Sequence, residues 1–267
     1  MTENIHSSAD GSSQYTGTGS ENDPIVPNIK PQARDQVKAA IASLGADVDS
    51  YAAAFRSAAD LSASLPADVR KIVSDASSAI TGTVATAHNA RIKADGFLAD
   101  VRLYPEGRQA LAGEAIKDAQ DKVSESLADA DVRLKIAESE LYEAARPKLP
   151  QAEAMTARAD LEMVTRRQIS SPGALTDTLK SLAAGGDSVA ALVADSAYLG
   201  RFLDAQGVES DVRDAILTSV QGAVVKAAAE SGDAKRMAAG RTSLALVELR
   251  KARAVAASYT RHKLNGK

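Results

Sequence analysis

Ten positions between residues 69 and 101 constrain this chain more than any others: Val69, Val73, Ala76, Ile80, Thr83, Ala87, Ala90, Ala94, Phe97 and Val101. They recur at alternating steps of four and three, which places them on one face of an α-helix. A helix from 66 to 103 at 1.5 Å per residue is roughly 55 Å long. Its flanks are apolar as well, at Ile72, Ala79, Val84 and Leu98. The stripe is therefore wider than a two-stranded seam, which points to a multi-helix bundle.

The same spacing continues on both sides. Val37, Ile41, Leu44, Val48, Tyr51, Phe55 and Ala58 form a preceding helical stripe, softened at Gly45. Leu65-Pro66 separates the two helices, because the residue before a proline avoids the α region and proline suits a first turn. A third helix is expected over 105–145, with Ile116, Val123, Leu127, Ala130, Leu134, Ala137, Leu141 and Ala144 on its stripe and Gln120 interrupting it. Its flanks are charged (Asp131, Arg133, Glu138, Glu140), so its face is narrower and closer to a coiled coil. Pro147 and Pro150 end it.

A fourth helix follows over 151–168, and Ser170-Ser171-Pro172 reads as a cap with proline at the first helical position. Shorter helices are expected near 173–184, 188–206, 209–230 and 233–263, broken at Gly185-Gly186, Gly207 and Gly232. The tripeptide Asp-Val-Arg recurs at 68, 100, 131 and 211, but its flanks do not match, so it is not a repeat. No run of alternating β-branched residues appears. The expected fold is all-α: long amphipathic helices forming an extended bundle or coiled-coil-like rod, plus a C-terminal domain of shorter helices. The expected divisions are a polar tail over 1–30, a long-helix bundle over 31–168 and a shorter-helix domain over 169–267. The tail is rich in Ser, Gly, Thr, Asn and Asp and has Ile25, Val26 and Ile29 as its apolar anchors.

Composition bears on function. The chain has 54 alanines, no tryptophan, three phenylalanines and six tyrosines in 267 residues. Alanine favours helices and close backbone approach but buries little area. Aromatic residues, which anchor deep pockets, are scarce. With no cysteine there is no disulfide, thiolate metal site or thiol nucleophile. The opening MTENIHSSADGSSQ has neither the basic region nor the apolar run of a signal peptide, and no stretch is apolar enough to span a membrane. The expected location is the cytoplasm or a particle assembled there.

Catalytic and cofactor motifs are not expected. His6, His88 and His262 lack metal-site spacing. Glu138 and Glu140, like Asp129 and Asp131, are two apart on a helix and diverge rather than converge. Gly17-Thr18-Gly19 has no preceding strand, and Gly185-Gly186 has no phosphate-loop lysine. The histidines offer no hydrolase triad. No enzyme activity, cofactor or metal is expected.

Charge is the most informative functional signal. Residues 233–267 hold nine cations against Asp233 and Glu248, so they carry +7, while residues 1–232 carry −10. On this last helix Ala245, Leu249, Ala252, Ala256 and Tyr259 form an apolar stripe beside Arg250, Lys251 and Arg253, with Arg261 and Lys263 following. These five cations are the candidate partner-binding residues. They suit three targets: the chain's own acidic body and the helix's negative end, an acidic protein surface, or nucleic-acid phosphates. The shortage of aromatics disfavours single-strand stacking. Coating of a lipid or polymer surface is a further reading, weakened by apolar faces made mostly of Ala and Val.

Tyr104-Pro105-Glu106-Gly107-Arg108, opening a long charged helix, resembles the S-P-E-G-R/K helix start common in small helical proteins of tailed-phage structural gene clusters, with Tyr104 in place of the serine. The whole chain, with polar tail, acidic helical body and basic helical end, resembles phage scaffolding proteins. That resemblance implies a basic helix that binds coat protein. The functional expectation is a non-enzymatic structural or assembly protein of a phage virion or head. It would work through helix-mediated homo-oligomerisation and a basic docking helix, with nucleic-acid binding as the alternative.

Overall fold

The computed structural model describes residues 15–16, 26–27, 31–166 and 171–265. Among them are nine α-helices: α1 (Pro31–Ala58), α2 (Ala67–Ala99), α3 (Pro105–Ala145), α4 (Ala154–Thr165), α5 (Pro172–Ala183), α6 (Ser188–Val193), α7 (Ser196–Ala205), α8 (Ser210–Ala229) and α9 (Ala234–Asn265). The fold is all-α. The one β pairing among the described residues is a two-residue antiparallel ribbon, β1 (Tyr15–Thr16) against β2 (Val26–Pro27). The rest of the expected tail, with Ile25, Ile29, His6 and Gly17–Gly19, lies outside the described residues, as do Ser170 and Lys267.

The heptad stripes become the main core. On α2, Val69, Val73, Ala76, Ile80, Thr83, Ala87 and Ala94 are buried. On α3, Val123, Leu127, Ala130, Leu134, Ala137 and Leu141 are buried. Both helices pack against each other along most of their length. α1 adds Val48, Ala52 and Phe55. Val37, by contrast, is exposed near the start of α1, and Val101 falls in the turn beyond α2.

The remaining member of this bundle is α9. Its Ala245, Leu249, Ala252 and Ala256 join the core of α1, α2 and α3. Direction follows from cross-helix pairs. Gly45 of α1 faces Tyr259 of α9, and Asp60, just past α1, meets Thr242. Asp75 of α2 meets Arg133 of α3, and Asp131 of α3 meets Arg253 of α9. Each pairing is antiparallel, so α1, α2, α3 and α9 alternate up and down. Thr242 is fully buried; its hydroxyl donates to the Asp60 carbonyl (3.0 Å) and accepts from the Asp60 N–H (3.1 Å). That two-way bond ties the loop after α1 to α9.

A second core forms from α4 to α8 around Leu161, Leu175, Leu179, Leu192, Leu199, Leu203, Ile216 and Val220. Two boundaries therefore differ from the sequence expectation. α4 leaves the long-helix region and packs on α5 and α6. α9 leaves the short-helix region and completes the bundle, since its 32 residues carry a stripe long enough to match α2 and α3. The shorter helices are thus an excursion between α3 and α9. The expected helix over 188–206 is also divided. Asp195 accepts a hydrogen bond from Tyr198 N–H (2.9 Å) and starts α7, just as Asp187 accepts from Ala190 N–H (2.8 Å) and starts α6. Gly207 follows α7 at φ 75°, the left-handed conformation a helix end favours.

Two contacts mark the junction of the two cores. Tyr142 of α3 donates its hydroxyl to the Ala194 carbonyl (2.7 Å), between α6 and α7. α8 crosses α9 so closely at Gly240 that a Cβ there would stand 2.3 Å from Ala229 N and 2.7 Å from Val225 O.

Candidate functional site

The five cations of α9 divide by position. Arg253 forks onto Asp131 of α3, with Nε to Oδ1 at 2.8 Å and Nη2 to Oδ2 at 2.6 Å. Such a fork matches carboxylate geometry and sets direction as well as attraction. One turn earlier Arg250 reaches Glu138 of α3 at 2.5 Å. Lys251 donates to Glu248 on its own helix (2.8 Å) and lies 5.7 Å from the Tyr51 ring centroid on α1. The hydrogen bond to Glu248 holds the Lys251 ammonium above its ordinary pKa range. So the acidic surface that meets the middle of this basic helix is the chain's own α3, and Asp131 and Glu138 are the charged flank that the heptad pattern left beside the seam. The two arginine pairs are half-exposed, and each contributes at most about 1 kcal/mol. Their stronger effect is on register.

Arg261 and Lys263, roughly two to three turns beyond Arg253, have no carboxylate within ion-pair distance among the described residues. Arg261 is exposed. Lys263 lines a cleft of about 460 Å³ with Lys38 of α1, His88 of α2 and Asp49. Tyr259 and Gly45, which face each other across α1 and α9, also line it.

The α2–α3 hairpin is a second candidate. α9 ends beside Gln120, whose Nε2 donates to Asn265 Oδ1 (3.1 Å). From Gln120 back to Pro105 the hairpin runs on for roughly 20 Å. Residues 35–40 of α1 are exposed and do not cover it. Its seam is small, with Ala94, Ala112 and Ala115 buried. Its larger apolar groups face out: Val101 is 85 % and Tyr104 84 % exposed, with Ile92 and Leu98 also exposed. The turn itself is stabilised by polar contacts. Arg102 forks onto Asp100 (2.7 and 2.9 Å), which holds the Asp100 carboxyl below its ordinary range. Arg108 folds back, with Nη1 reaching the Leu98 carbonyl (3.4 Å) and so covering an open carbonyl at the end of α2. Pro105 does occupy the first position of α3, and Glu106 its positive end.

The third candidate was not visible in the sequence. A groove of about 920 Å³ opens between α3 and α8, with α9 as its floor. Leu244 and Val247, each 49 % exposed, form that floor. Its rim charges are largely paired: Arg250 with Glu138, and Arg146 with Glu143 (2.8 Å) and Asp195 (3.8 Å). No periodicity marks these residues, because α3, the start of α7, α8 and α9, distant in sequence, make the groove together.

Among the described residues no cluster of three or more His, Asp or Glu is placed to hold a metal, and no helix is long and apolar enough to cross a membrane. Comparison with known proteins gives no match to a family model, a curated protein or a solved structure.

Proposed function

We propose that this chain is a non-enzymatic structural protein that assembles through its helices, a component of a larger particle such as a phage virion or head-assembly intermediate. The hairpin carries this reading: a stiff, roughly 20 Å projection whose large apolar groups, Ile92, Leu98, Val101 and Tyr104, lie outside both cores. Clustered exposed apolar groups mark interaction surfaces. The phage placement rests on the organisation of the sequence. The basic docking helix narrows to its end, Arg261 and Lys263, because Arg250 and Arg253 are engaged by α3.

The chain is expected to sediment as concentration-dependent oligomers. Replacing Val101 and Tyr104 together with serine lowers its association with itself or with particles from its source. A strictly monomeric chain with no affinity for such particles would overturn this reading.

A second reading has its own observation: Lys38, His88, Lys263 and Arg261 gather at one end of the bundle without full compensation by carboxylates. That end suits a phosphate backbone. Two or three phosphate contacts would lower log affinity with log salt at a slope of about −2 to −3. Neutralising Arg261 and Lys263 would flatten that slope, while neutralising Arg250 and Arg253 would leave it unchanged.

A further inference from the structure

The groove over α9 has the form of a missing helix. α3 and α8 both pack on α9 and meet each other only over a short stretch, and a channel opens between them. Its α3 wall runs from Lys135 to Arg146, roughly 16 Å or three helical turns. On the α8 wall, nothing lies within 4 Å of where a Cβ on Gly222 would stand, which leaves room for another backbone. With most rim charges paired, the exposed Leu244 and Val247 set the chemistry of the floor. This groove takes an apolar helix face rather than a charged small molecule.

A matching face exists on the same chain. α4 has 12 residues, about 18 Å. It buries Ala157, Leu161 and Thr165 against the second core. The opposite side presents Met155, Ala159 and Met163 at steps of four, with the methionines 77 % and 70 % exposed. Methionine side chains adapt to irregular grooves, and the alanine between them permits close approach. Charge agrees. Lys135, a rim cation, and Glu162, beside Met163, each have no ion-pair partner among the described residues. α4 packs on α5 and α6, away from α9, so the helix that fills the groove comes from another molecule.

We propose that copies of this chain associate by seating α4 of one copy in the α3–α8–α9 groove of another, with Met155 and Met163 against Leu244 and Val247 and Glu162 toward Lys135. This inference rests on the assembly reading and names a self-association contact distinct from the hairpin. A reciprocal arrangement would form both contacts in a two-fold dimer; a one-way arrangement would build a chain of copies.

The lack of native cysteine makes a direct test available. Full-length Met163→Cys and Val247→Cys chains are mixed and oxidised, with Val101→Cys as the third probe. The expected product is the 163–247 disulfide dimer, with little 163–163 product. Met163→Asp and, separately, Ala159→Arg are expected to weaken association in sedimentation by roughly tenfold or more. Circular dichroism verifies that each variant stays folded. If the wild-type chain associates but the 163–247 link is absent and both variants associate normally, the groove contact is overturned while the assembly reading stands. A dominant 101–247 link would assign the groove to the hairpin end and also overturn the proposal. A wild-type chain that stays monomeric at every concentration would overturn both.

Discussion

The two cores bury apolar surface by opposite means. In the bundle of α1, α2, α3 and α9, alanine fills much of the buried stripe, as at Ala76, Ala130, Ala137, Ala252 and Ala256. In the α4–α8 core the same role falls to Leu175, Leu179, Leu199, Leu203 and Phe202. Each alanine removes little area from water, so the bundle gains its stability from length and from backbones that lie close together. The smaller core uses short helices and large side chains. The bundle should be intolerant of added volume, whereas the second core should be intolerant of lost volume.

The largest effect is expected where the two meet. Gly240→Leu forces a side chain into Ala229 and Val225 and should cost more than about 4 kcal/mol. Gly222→Leu on α8, where space is open, should cost little; urea titration of both variants decides this. If the two variants melt alike, close backbone approach is not what holds α8 to α9. Next in size, Leu203→Ala leaves a cavity in the second core and should cost about 3 kcal/mol. Hydrogen exchange should then speed up in α5–α8 and stay slow in α2–α3. Equal acceleration in both would merge the two regions into one cooperative unit.

Smaller again is Arg253→Ala, which removes the fork onto Asp131. A half-exposed pair of this kind contributes about 1 kcal/mol or less, so the melting temperature should fall by only a few degrees. Of similar size is the effect at the strut between the cores. Burial raises the Tyr142 phenol above its ordinary pKa. Its contribution is complete below pH ~10 and declines as pH rises through the raised value, because the unfolded chain ionises first. In Tyr142→Phe the alkaline loss of stability should be shallower. A constant cost near 1 kcal/mol should remain from the lost bond to Ala194. Chemical denaturation at pH 8 and pH 11 separates the two.

Long periodic elements were legible from sequence because their signal accumulates. α2 and α3 begin where proline and spacing place them, and thirteen of their eighteen stripe residues are buried. The stripe on α9 was legible for the same reason. Its surroundings were not, since nothing local tells a helix which core it will join. Its length was the available clue. The α6–α7 break depended on the single capping carboxylate of Asp195 within an otherwise continuous apolar run. The candidate cations show the same limit. The chain's own acidic body was among the targets read for Arg250 and Arg253, but not the partners within it: Glu138 and Asp131 lie 112 and 122 residues earlier and meet them only on folding. The groove and the α4 face arise from tertiary packing, so the sequence shows only their residues.

The bond between Asp60 and Thr242 spans 182 positions of the chain. A ribosome adding about 5–20 residues per second takes roughly 10–35 s to pass from one to the other. Throughout that interval α1 has been made and α9 has not, so the face of Val48, Ala52 and Phe55 waits in the cell without its main covering helix. The α4–α8 excursion is synthesised within that time. Any shelter for α1 during those seconds has to act before the bundle exists.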